Sequence, residues 1–98
     1  MSSRILYVGN DLALYEFLQA TLDMKILRCV GQSNARLLLR RIKYSAVLLD
    51  EAERGLKRSI HRLRIHKNTP VIIVSGPPEN VAEVIKRQVS KTMTLAKW

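Results

Sequence analysis

The stretch Tyr44-Ser-Ala-Val-Leu-Leu-Asp50 decides how this chain is read. Its apolar run reads as a buried strand, and a carboxylate follows at its end. Open α/β sheets bind their ligands outside the carboxyl ends of their strands, which makes the position of Asp50 informative. Two further strand ends deliver polar groups: Asn10 and Asp11 after Ile5-Leu-Tyr-Val8, and Ser75 after Val71-Ile-Ile-Val74. Together they point to a pocket for a phosphoryl group.

Working outward, the apolar period alternates between that of a strand and that of a helix. Ile5 to Val8 is followed by Leu14, Phe17, Leu18, Thr21 and Leu22 at helical spacing. Lys25 to Val30 predicts a second strand, which Gly31 ends, and Ser33 is placed to cap a helix carrying Leu37, Leu38 and Ile42. After the Tyr44–Leu49 strand, Leu56, Ile60 and Leu63 mark the stripe of a third helix whose other faces are basic. Pro70 opens the strand Val71–Val74, and Pro78 suits the first turn of a helix carrying Val81, Val84, Ile85 and Gln88. Thr92 to Ala96 reads as a fifth strand. Strands alternating with helices imply a mostly parallel sheet covered on both faces, hence an α/β doubly wound fold in a single domain over 1–98.

The chain has 98 residues, 47% of them hydrophobic and 26% charged, the balance of a globular protein rather than a disordered one. No stretch approaches the length of a membrane span, and Met1-Ser-Ser-Arg4 leads into a strand, so a cytoplasmic protein without a membrane partner is expected. Cys29, the single cysteine, lies in an apolar run and reads as a structural thiol. The 17 Lys and Arg against 8 Asp and Glu give a formal charge of +9, which raises nucleic acid or another polyanion as a partner. Their spread along the chain argues for solvated helix faces, while Asp11, Asp50, Glu51, Glu53 and Glu79 all follow strands. His61 and His66, five apart, do not share a helical face and read as surface residues.

The succession Ile5-Leu-Tyr-Val-Gly-Asn-Asp11, Tyr44-Ser-Ala-Val-Leu-Leu-Asp50, Thr69-Pro-Val-Ile-Ile-Val-Ser-Gly76 and a final Lys97 resembles the receiver domain of bacterial two-component response regulators. The resemblance implies a flavodoxin-like sheet of five strands in the order 2-1-3-4-5. It also implies a role in a phosphorelay, in which Asp50 accepts a phosphoryl group from a histidine kinase. Phosphoryl transfer is mostly positioning plus electrostatics. By the resemblance, Ser75 and Lys97 would bind the phosphoryl oxygens, and Asn10, Asp11, Asp50 and the carbonyl of Ala52 would stand at the Mg²⁺ site.

Departures from the family are specific. Gly9 and Asn10 stand where the acidic pair belongs, which costs a divalent cation at least one anionic ligand. The loop after Asp50 is short, with Ala52 and Glu53 in place of the family's Met-Pro, and Trp98 follows Lys97 where a proline is usual. The last helix of the family is missing, which would leave part of the sheet face beside the first helix open and predicts a homodimer through that face, with Trp98 contributing. No nucleophile–base pair or phosphate loop occurs elsewhere, so the chain is not expected to be an enzyme. Two functions follow: an atypical receiver acting as a phospho-acceptor or as a phosphorylation-independent interaction module, or a small basic regulator that binds nucleic acid or another polyanion through the helix Lys57–Lys67.

Overall fold

The runs Ile5–Val8 and Ala46–Leu49 carry no polar break, and every one of their side chains is buried. Only strands covered on both faces can achieve that, so these two form the middle of the sheet. The computed structural model describes residues 4–96, with side chains to residue 89. In chain order it holds β1 (Arg4–Val8), α1 (Leu12–Thr21), β2 (Lys25–Cys29), α2 (Gln32–Arg41), β3 (Ala46–Leu49), α3 (Leu56–Arg62), β4 (Val71–Ile73) and α4 (Pro78–Ala96). Short 3₁₀ turns occupy Glu51–Glu53 and Arg64–His66. All strand pairs are parallel, in the order β2-β1-β3-β4, with Ile5 beside both Ile26 and Ala46, and Val47 beside Val71.

The order dictates where the helices lie. The chain steps outward from β1 to β2, then back across β1 to β3 and on to β4, and right-handed crossovers in opposite directions deposit helices on opposite faces. Accordingly α1 packs its Leu14 and Leu18 on Ile5, Tyr7, Ala46 and Leu48. On the other face α2, through Ala35 and Leu39, and α3, through Leu56 and Ile60, pack on Leu6, Val8, Val47 and Leu49. Each large aliphatic side chain buried in these two layers contributes on the order of 1.5–3 kcal/mol. Gly31 begins α2 at φ 91°, a left-handed backbone that suits glycine, and no side chain caps this helix; Ser33, expected as the cap, lies inside its first turn. The expected stripe of α2 is also shifted, since Ala35 and Leu39 are buried whereas Leu37 is 54% exposed.

The C-terminal segment corrects the sequence reading. Thr92–Ala96, expected as a fifth strand, is the continuation of α4, so the sheet has four strands among the described residues and the order is 2-1-3-4. The reason is cooperative: Val81, Ile85 and Val89 commit the preceding turns of α4 to the core, and each further helical residue then adds a hydrogen bond without a new nucleus. β-Favouring residues in the last turns are too weak a preference to oppose this. α4 folds beside α1 and buries Val81, Ala82, Ile85 and Val89 against Ile5, Tyr7 and Leu48. The face expected to be left open by a missing helix is covered by α4, which removes the reason for placing a homodimer there. Trp98 lies outside the described residues. Among those described, no helix is long and apolar enough to cross a membrane.

Candidate functional site

Asp50 stands at the carboxyl end of β3, between the strands where the chain changes direction across the sheet. Its backbone N–H continues the ladder by donating to the Val8 carbonyl at 3.0 Å, and its carbonyl accepts from Glu53 N–H at 2.8 Å, closing the 3₁₀ turn. These bonds fix the Cα and aim the side chain toward the end of β1. There the Tyr7 hydroxyl donates to Oδ1 of Asp50 at 2.7 Å, and the Asn10 backbone N–H donates to Oδ2 at 3.2 Å. The same hydroxyl accepts from the Asp11 N–H at 3.1 Å. Each carboxylate oxygen therefore has a donor, and the Tyr7 oxygen is used in both directions.

Tyr7 is fully buried on the α1/α4 face. Burial, then the hydrogen bond to Asp50, hold its phenol well above the usual range, and the Asp11 N–H only partly opposes this. Gly9 completes the arrangement: a Cβ on Gly9 would lie 2.3–2.4 Å from the Asp50 carboxyl group and 2.5 Å from the Tyr7 oxygen. The absence of a side chain at position 9 is thus a condition for the phenol–carboxylate contact. Tyr7 was not singled out by sequence reasoning. The available signal was a polar-tipped aromatic in an otherwise aliphatic strand, two residues before a glycine.

The remaining predicted site residues divide. Asp11 is brought to the rim, but its side chain caps α1, with Oδ1 accepting from Leu14 N–H at 3.1 Å. Asn10 contributes its backbone. Ser75 and Ala52 are exposed, and among the described residues neither hydrogen-bonds to Asp50. Lys97 lies outside the described residues. A Mg²⁺ ion seeks near-octahedral oxygen ligands, usually with carboxylates facing it. Here Asp11 is engaged in a cap, Gly9 offers nothing and both oxygens of Asp50 are hydrogen-bonded, so the donor set does not fit the ion well. Among the described residues no group of three or more His, Cys, Asp or Glu is placed to hold a metal.

A second polar network lies on the opposite layer. His66, expected at the surface, is fully buried. Its Nε2 donates to the Leu39 carbonyl at 2.9 Å, with the Ile42 carbonyl at 3.2 Å, and its Nδ1 accepts from the Thr69 hydroxyl at 3.1 Å. Lys43 Nζ donates to that hydroxyl at 3.1 Å and to the Ile65 carbonyl at 2.6 Å, and the Tyr44 ring stacks on the imidazole. Burial, reinforced by the Lys43 charge, pushes the His66 pKa down, against the opposing hydrogen bond to Leu39. The network ties the last turn of α2 to the connection between α3 and β4, and so sets the spacing of α2 and α3. His61, the other histidine, is exposed and donates from Nε2 to the Thr69 carbonyl at 3.2 Å.

Fold and site together define an all-parallel, doubly wound α/β protein with a hydrogen-bonded aspartate at the switch point of its sheet. Compared with known proteins, the chain matches no family model, no curated protein and no solved structure.

Proposed function

We propose that the chain is a receiver-like regulatory module that works by binding rather than by phosphoryl transfer, with Asp50 serving as a structural carboxylate at the phospho-acceptor position. The observation that carries this reading is the engagement of both Asp50 oxygens: the Tyr7 hydroxyl donates to one and the Asn10 N–H to the other. A nucleophilic carboxylate needs an electron-rich oxygen and neutralisation of the transferring charge, and each donated hydrogen bond draws electron density from the oxygen that accepts it. At this site the phenol is locked to the nucleophile and the cation ligands are turned to other tasks. Ser75 keeps its place just after β4 in this reading, without a phosphoryl group to bind.

Incubation with acetyl phosphate and Mg²⁺, read by intact mass, is expected to give no phosphoryl adduct. Stoichiometric labelling that disappears in Asp50→Ala would overturn the proposal. Asp50→Asn supplies the complementary test, because the amide nitrogen would meet either the Asn10 N–H or the Tyr7 hydroxyl. The structural role predicts a loss of about 1–3 kcal/mol in denaturant unfolding, as when a buried polar group loses its partner. An aspartate reserved for phosphorylation would show no such loss.

A further inference from the structure

We propose that the groove between α2 and α3 binds the phosphate backbone of nucleic acid, with Arg36 and Arg40 of α2 and Arg62 of α3 as its contacts. The groove has a volume of about 220 Å³ and is lined by these three arginines with Leu39, Ser59 and Leu63. Leu39 is buried and Leu63 half-buried, which gives an apolar floor along which arginine stems can lie while their guanidinium groups stay at the rim. Arg36 and Arg40 are four apart on one helix, so they share a face about 6 Å apart.

The surroundings of these cations set them apart from ordinary solvated charge. Met24 to Leu49 contains no Asp or Glu, and neither does Arg54 to Pro78, so α2, α3 and their flanking strands carry cations alone. The fold brings both acid-free stretches into one layer, although they are separated in sequence. Arg36, Arg40 and Arg62 are exposed and make no ion pair or hydrogen bond among the described residues. Like charges facing one another across a groove repel, and a ligand with closely spaced negative charges relieves that repulsion.

Guanidinium forks suit phosphate oxygens, and the Ser59 hydroxyl adds a neutral donor beside them. The field does not stop at the groove, since Arg41, Lys57 and Arg58 continue it on the same two helices. A row of cations fits a polymer with a charge at every step better than a lone anion. Among the described residues no aromatic side chain lines the groove, which gives bases no stacking platform there and favours binding to the backbone, without sequence preference. This inference goes beyond the reading of Asp50 and is independent of it, since none of its residues touches that site.

The test is fluorescence anisotropy of a short labelled duplex with the full chain. Three phosphate contacts predict binding about 40-fold weaker at about 200 mM than at about 50 mM salt. Arg36→Gln/Arg40→Gln/Arg62→Gln is expected to abolish most of this affinity and flatten the salt dependence. Arg4→Gln/Lys86→Gln/Arg87→Gln removes the same charge from β1 and α4 and is expected to change binding less than threefold. Circular dichroism of both variants reports whether they fold. No salt-dependent binding by the native chain, equal loss in two folded variants, or equally tight binding of polyglutamate would overturn the proposal. The phosphorylation assay on Asp50 is unaffected by any of these results.

Discussion

The rim around Asp50 and the groove between α2 and α3 both gather charged side chains, but they use them in opposite ways. At the rim each group answers another: phenol to carboxylate, backbone N–H to carboxylate, Asp11 to the start of α1. In the groove three guanidinium groups line the same space, with no acid among the described residues to answer them. A site whose groups satisfy one another contributes to stability, whereas one whose groups share a sign is held in place by the fold and is completed by a ligand. The family resemblance directs attention to the first site, and the charge distribution directs it to the second.

The largest effect that sharpens this contrast is expected from Gly9→Ala. The new methyl group would overlap both the Asp50 carboxyl group and the Tyr7 oxygen, so one of them must move and the bond between them must lengthen or break. Overpacking of this kind costs about 1–3 kcal/mol, to be read from urea unfolding. A smaller loss, within about 0.5 kcal/mol, would mean that the phenol–carboxylate bond is not what holds this rim together.

Much of the fold is legible in the sequence, and the reasons are local. β1 and β3 announce themselves because unbroken apolar runs have few other homes, and α1 is marked by the pattern of Leu14, Leu18 and Leu22. The end of the chain is not legible in that way. Thr92–Ala96 has residues that suit a strand, and what makes it helical is the register of α4 on the sheet, several turns earlier. The site divides along the same line. Asp50 and the Asp11 end of β1 can be placed from strand ends, but Tyr7 is a partner chosen by sheet register, since β1 and β3 pair Tyr7 with Leu48 and so bring its ring beside Asp50. The arginine groove is likewise invisible along the chain. Arg36 and Arg62 become neighbours only because two crossovers in the same direction put α2 and α3 on one face.

His66 offers a second way to probe the comparison, because it is a satisfied polar group inside the cationic layer. Its folded pKa lies below its ordinary value of 6.5, so the folded state favours the neutral ring. Its contribution to stability is therefore complete above about pH 6.5 and is lost as the pH falls from there through the folded pKa, where the unfolded chain takes up a proton that the folded one refuses. Burial is the main cause of the refusal and the Lys43 charge adds to it, while the Thr69 hydroxyl, which accepts a hydrogen bond from Lys43 Nζ, is committed to Nδ1. Unfolding curves from pH 7 to pH 5 should show the native chain losing more stability than His66→Gln over the same interval. Equal slopes would place the imidazole in contact with solvent.

The smallest stability effect is expected where the binding effect is largest. Arg36, Arg40 and Arg62 have no partners to lose among the described residues, and glutamine preserves most of their helix propensity and stem. Their joint replacement is therefore expected to change unfolding stability by no more than about 0.5 kcal/mol, the usual range for exposed positions. Relief of repulsion tilts the sign toward stabilisation, and a rise in salt should shrink the difference, because exposed charges are screened over about 8–10 Å at physiological ionic strength. A loss well above that range would show that the arginines hold α2 to α3. Such a result would make the groove a structural joint like the rim at Asp50, and the difference between the two regions would vanish.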